Sequence, residues 1–271
     1  MVSVPFQWFD HPRLWPLGLV LLAFLTGALL LGRWLQIRIH SGTRGIDPER
    51  EFDGYIVSAM LGLLAVLLGF TFSLAISRYE ERRLAVVTQA NAIGTAYLRV
   101  QLLAPPHRER LGRLFQTYLA NQIDLERAGY PTTGPLASRD ADLVSRIWAE
   151  TVTALGLPEN RPVNFLVGNA VNNVIDQGDF RRAARSARVP AEVFMVLITC
   201  LVTIAGVLGF SIRKNSGTVT GCFALGLMTF ALLLIIDIDR PGHGSIREPQ
   251  EPMERLQLQL GPKSAAQIVR M

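Results

Sequence analysis

The side chains able to do chemistry are few in this sequence, and where they cluster they are charged rather than nucleophilic. The four histidines, His11, His40, His107 and His243, are scattered, and no His-Glu-x-x-His, Gly-x-Ser-x-Gly or phosphate-cradling glycine loop accompanies them. Gly242-His243-Gly244 reads as a turn with no nucleophile beside it. Catalytic residues are therefore not expected, and neither is an enzyme. Cys200 and Cys222 stand in apolar runs with no CxxC partner and no nearby histidine, so they read as small packing residues; no metal or cofactor is implied. Two groups of charge remain. In the run Arg181, Arg182, Arg185 and Arg188, helical spacing places Arg181, Arg185 and Arg188 on one face. Such a face anchors anionic lipid head groups, at about 1 kcal/mol per basic residue, or concentrates small anions at a pore mouth. Asp237 and Asp239 flank one residue beside Arg240. Two acids without a third ligand make a weak metal site, and pairing with Arg78, Arg82 or Arg83 is the expectation.

The elements that must hold these groups are apolar and long. Of 271 residues, 49% are hydrophobic and only 18% charged, with a mean hydropathy of +0.28, whereas soluble domains carry about 25% charged residues. Charge is absent from four blocks: Leu14 to Gly32, Gly54 to Ser77, Val193 to Ile212 and Asn215 to Ile236. Each is about 20 residues long, the length a helix rising ~1.5 Å per residue needs to cross ~30 Å of hydrocarbon. Spans are placed at about 14–32, 54–77, 193–212 and 217–236. The first has Trp8 and Trp15 as interfacial anchors and no small-x-small cleavage pattern, so it reads as a retained helix rather than a signal peptide.

Four spans put the N-terminus, the 78–190 segment and the C-terminal tail on one side. Eleven arginines lie near the membrane on that side, against five arginines and one lysine on the other, which makes it the cytoplasmic side of an inner or plasma membrane. The parts are a first membrane pair within 1–77, a helical cytoplasmic domain over 78–190, a second pair within 191–238 and a tail over 239–271. The net charge of +5 rests on arginine, with only two lysines, and does not point to nucleic acid.

From Tyr55 to Leu103 there is no proline, so the second span continues into the cytoplasm as one helix of about 49 residues until Pro105-Pro106. Its projecting half carries an apolar seam, Val86, Ala90, Ile93, Tyr97 and Val100, spaced for a partner helix in the same chain or in a neighbouring subunit. Three further helices follow: His107 to Arg127 with Leu111, Leu114, Phe115, Tyr118 and Leu119 on one side; Asp140 to Leu155 with Leu143, Ile147, Trp148 and Val152 in phase; and one from Val163 through Val167, Ala170 and Val174 towards Phe180. Met253 to Leu260 forms a short helix on the cytoplasmic domain. No strand-like alternation of useful length appears, and the fold class is all-α.

Within the second span, Ser58, Gly62, Ala65, Gly69 and Ser73 make a face of small residues, and Gly217 and Gly221 a GxxxG in the fourth. Small faces allow close helix approach, within one chain or between several copies of the second span around a common axis. On such an axis Gly62, Val66, Phe70, Ser73 and Ser77 would line the pore, with Val66 and Phe70 as an apolar constriction followed by hydroxyls.

Leu67-Leu68-Gly69-Phe70-Thr71-Phe72-Ser73-Leu74, followed by Arg78-Tyr79-Glu80-Glu81-Arg82-Arg83, resembles the second-span signature of bestrophins. The stretch to Asn91-Ala92-Ile93-Gly94-Thr95-Ala96-Tyr97-Leu98-Arg99, and Asp237-Ile238-Asp239-Arg240-Pro241 after the last span, is similar to a bacterial bestrophin-like membrane family, over roughly residues 50 to 260. The resemblance implies a homo-oligomer, pentameric in bestrophins, that passes small anions along an axis lined by the second span. Phe70 matches a neck aromatic, while Val66 and Gly62 are smaller than the family's residues one and two turns earlier. Animal bestrophins also carry an acidic calcium clasp, matched here only by Asp237 and Asp239. The expected function is an oligomeric anion channel whose partners are the lipid bilayer, further copies of the chain and small anions. The alternative is a non-conducting, membrane-anchored scaffold whose helical stalk binds a cytoplasmic partner.

Overall fold

A computed structural model describes residues 14–39, 49–156, 161–212, 215–241 and 246–261. Trp8, Arg13, His11, His40, His243, the Gly242–Gly244 turn and the 213–214 connection lie outside the described residues. The described residues form eight helices and no strand: α1 (Trp15–Ile39), α2 (Glu49–Val100), α3 (Pro105–Arg127), α4 (Pro135–Leu155), α5 (Arg161–Ser186), α6 (Ala191–Ser211), α7 (Asn215–Ile238) and α8 (Glu251–Leu260). The all-α class is as expected. Four of the helices are long and apolar enough to cross a membrane, and the chain is a membrane protein.

The chain divides into two compact units, one of residues 1–77 with 188–246, the other of 78–187 with 247–271. The tail expected as a single piece is thus shared: 239–246 belong with the apolar helices and the rest with the second unit.

In the first unit α1 packs on α6 and α7, and α6 on α7. The α1–α6 crossing is set by glycine. A Cβ on Gly32 would collide with the Gly206 carbonyl, and one on Gly209 with the Leu29 carbonyl. Lipid tails are as apolar as leucine, so burying leucine between membrane helices gains little; close backbone approach gains dispersion contacts instead. Gly217 and Gly221 of α7 receive the side chains of Ile212 and Leu29. α1 continues past its apolar block to Ile39, because Arg33 and Arg38 are good helix formers. Arg33 donates to the Thr218 hydroxyl of α7, and Arg38 lies 4.6 Å from the Trp34 ring centre.

α2 is one helix of 52 residues, about 78 Å at ~1.5 Å per residue. Gly94 does not interrupt it. It stops at Val100, where three turn residues precede Pro105-Pro106 at the start of α3. In the first unit its buried residues, Val57, Leu64, Leu68, Thr71 and Ala75, form a single stripe.

The second unit has an ordinary hydrophobic core. The α2 seam, Val86, Ala90, Ile93, Tyr97 and Val100, is wholly buried, together with Leu111, Phe115, Tyr118 and Leu119 of α3 and Val167, Ala170 and Val174 of α5. α3 packs on α4 and α8, and α4 on α5. α8 inserts Met253, Leu256 and Leu260 into the core, and the Gln116 amide donates to the Leu260 carbonyl at 2.6 Å. Two expectations on α4 fail. The helix begins at Pro135, since proline at a first helical position loses no hydrogen bond. Trp148 and Val152 also face outwards, 44% and 52% exposed, while Thr151 and Ala154 take the inward positions one and two turns on from Ile147.

Candidate functional site

The residues expected to line an axis lie on the side of α2 opposite its buried stripe, as ~100° per residue requires. Gly62, Val66, Phe70, Ser73 and Ser77 are all exposed in the single chain, Val66 by 53% and Phe70 by 72%. The adjacent small face, Ser58, Gly62, Ala65, Gly69 and Ser73, is exposed as well, and around Gly62 and Gly69 nothing lies within 4 Å of where a Cβ would stand. Intramolecular packing therefore does not explain why these residues are small. The closest intramolecular backbone approaches are at Gly32 and Gly209, which sequence periodicity did not single out, while Gly217 and Gly221 of the expected GxxxG do pack within the chain.

On another side of α2, Met60, Leu63, Leu64 and Leu67 face Thr199, Cys200, Thr203 and Ile204 of α6 across a crevice of about 140 Å³. Cys200 and Cys222 are both free thiols.

The basic run is not the open surface that its spacing suggested. Arg181 and Arg185 sit on α5, 1% and 8% exposed, and Arg188 lies beyond the helix end, so the three do not form one exposed helix face. Arg181 donates to Gln89 Oε1 at 2.9 Å, Glu126 Oε2 at 2.8 Å and Gln250 Oε1 at 3.1 Å. Arg185 donates to both Glu126 oxygens, at 3.0 and 2.8 Å, and lies 3.5 Å from Glu248 Oε2. Arg82 of α2 donates to Glu248 Oε1 at 2.5 Å. Tyr130, at φ 57°, places its ring 5.2 Å from the Arg181 guanidinium carbon and 4.9 Å from that of Arg185. Glu126 and Glu248, the acids that complete the cluster, are 55 or more residues from the arginines they bind. Nothing local in the sequence marks them. Buried charges persist only when paired and hydrogen-bonded, and the cluster fastens the α5 terminus and residues 248–250 to α2 and α3. Two carboxylates offset most of the charge of these three guanidiniums, and burial keeps them from lipid or permeant ions.

Beside this cluster a polar chain continues from α3 to α5. Tyr130 donates to Gln122 Oε1 at 2.9 Å, Gln122 to Asp140 Oδ1 at 2.5 Å, and Arg182 to Asp140 Oδ2 at 2.9 Å. Burial raises the Asp140 carboxyl above its ordinary value, against the opposing effect of Arg182. Burial likewise raises the phenols of Tyr118 and Tyr130; Asp140 adds to both, and Gln89, which donates to the Tyr118 oxygen, works against it.

Of the expected acid pair, Asp239 is buried and accepts the Val189 backbone N–H at 3.0 Å, just before α6 begins. The arginines expected opposite have carboxylates in their own unit: Arg78 with Glu81, Arg82 with Glu248, Arg83 with Glu80. No cluster of three or more His, Cys, Asp or Glu able to hold a metal occurs among the described residues.

The bestrophin-like domain family matches residues 23–253. In three dimensions the chain is similar to the crystal structure of a mutant bacterial bestrophin homolog from Klebsiella pneumoniae. The TM-score is 0.63 at 14% identity, over 90% of this chain and 97% of that one; at such identity the likeness establishes the fold. No curated protein matches the chain in sequence.

Proposed function

This chain belongs to the bestrophin-like family, and from that premise we propose that it is an oligomeric anion channel. Copies of α2 surround a common axis, five of them if the subunit number follows bestrophins. Gly62, Val66, Phe70, Ser73 and Ser77 line the path, and Val66 and Phe70 form an apolar constriction that gates by wetting and dewetting. The observation that carries this reading is the side of α2 opposite its one buried stripe: an aromatic, a valine, glycines and serines that nothing in the subunit covers. The excess of arginine near the membrane supports a topology with the N-terminus, the 78–190 segment and the tail on the cytoplasmic side.

The test is a halide flux assay on purified protein in liposomes. Wild-type protein is expected to conduct, and Phe70→Ala to raise the flux by widening the constriction. Well-folded protein that leaves liposomes tight, and that runs as a monomer or dimer in detergent, would instead identify a non-conducting scaffold.

A further inference from the structure

The second unit holds another concentration of arginine, which the conduction reading does not use. It flanks a groove of about 480 Å³ along the α3–α4 seam, within the range of small-molecule sites. Arg110 and Arg113 rise from α3 and Arg146 from α4, over a floor that includes Leu114 and Leu143.

These guanidiniums differ from the buried ones in how they are held. Arg110 is 3.6 Å from Glu150, Arg113 is 3.9 Å from Glu109 and Arg146 is 3.6 Å from Asp142. All three separations exceed hydrogen-bonding distance, whereas Arg181 and Arg185 grip Glu126 at 2.8–3.0 Å. Glu150, the one acid in the groove, has a nearer partner in His107 Nδ1 at 2.8 Å. The result is a set of planar N–H forks on both walls of a concave floor where Leu114 and Ala149 alternate with Thr117 and Thr153, each fork bound by nothing stronger than a loose ion pair. Surface pairs of this kind contribute at most about 1 kcal/mol, so an incoming anion displaces them at little cost. Guanidinium forks match phosphate oxygens two at a time, and the groove is far larger than a halide.

We propose that this groove binds a small phosphate-bearing polyanion, with its phosphate oxygens on Arg110, Arg113 and Arg146 and its carbon body over Leu114 and Leu143. The ligand is an effector distinct from any permeant ion. A soluble organic phosphate and a phospholipid head group share this chemistry, and the experiment separates them.

Full-length protein in detergent is titrated calorimetrically with pyrophosphate, ADP and dihexanoyl phosphatidic acid at about 0.1 M salt. At least one binds saturably. A tighter fit for ADP assigns a soluble ligand, and a tighter fit for phosphatidic acid a lipid head group. Arg113→Gln/Arg146→Gln weakens binding at least tenfold, and Arg113→Lys/Arg146→Lys, which keeps charge but removes the forks, weakens it less. Arg127→Gln/Arg139→Gln, an equal loss of charge elsewhere on the exposed surface, leaves it unchanged. No saturable binding by any probe, or equal loss in both glutamine pairs, overturns the proposal.

Discussion

The two units hold their helices together differently. The apolar unit buries leucine and isoleucine but also closes α1 onto α6 through backbone at Gly32, Gly206 and Gly209, and it leaves side chains as large as Phe70, Phe223 and Phe230 outside. The other unit buries leucine, phenylalanine and tyrosine in a core, then places three arginines and two glutamates beside it. The contrast follows from solvent. Where the surroundings are hydrocarbon, burying an apolar side chain changes its environment little and shape decides the packing. Where they are water, apolar burial drives folding, and ionic clusters persist only when complete. α2 contributes to both units and changes character at the boundary: one buried stripe with an open opposite side before Ser77, a thoroughly buried seam after it.

That contrast can be broken most sharply at Glu126. Glu126→Gln removes the carboxylate shared by Arg181 and Arg185 and is expected to cost about 3–5 kcal/mol, since two buried cations lose their main partner; denaturant unfolding in detergent checks it. An effect below about 1 kcal/mol would mean that the cluster is wet rather than sealed.

The next largest effects separate two kinds of glycine. Gly209→Ala drives a methyl group into the Leu29 carbonyl and is expected to destabilise the α1–α6 pair by about 1–3 kcal/mol. Gly62→Ala adds the same methyl into open space and is expected to change the stability of the isolated subunit by less than about 0.5 kcal/mol, while disturbing assembly. Thermal stability and oligomer mass, measured on both variants, distinguish packing within a subunit from packing between subunits.

The smallest effect is a pH slope. The folded Asp140 carboxyl titrates above its unfolded value because burial penalises the charge. Its favourable contribution is therefore fully present below the ordinary aspartate pKa of about 3.9, and is lost as pH rises through the elevated folded value. Stability of Asp140→Asn measured against wild type should accordingly improve as pH increases from about 4 towards neutrality. A difference that is flat with pH would place Asp140 in contact with water.

Much of this architecture is legible in the sequence because it depends on length and periodicity. The four apolar helices, the unbroken α2 and its buried seam all follow from local pattern. What the pattern does not reveal depends on tertiary pairing. Arg181 and Arg185 look like a surface run because Glu126 and Glu248 come from other parts of the chain. Trp148 and Val152 look like core because the apolar arc of α4 is wider than its neighbours cover. Arg188 looks helical because nothing before Pro190 announces that α5 ends at Ser186. The candidate pore side of α2 was legible as a spacing, and the structure adds that nothing in the subunit covers it.

The central claim is that this open side of α2 faces a conduction path. With Cys200 and Cys222 replaced by serine, Phe70→Cys and Phe72→Cys variants are reconstituted, and halide flux is followed while a small thiol reagent is added. Abrupt block at position 70 and none at position 72, whose side chain points elsewhere around the helix, is the predicted result. Flux indifferent to modification at 70, or blocked equally at both positions, would contradict it.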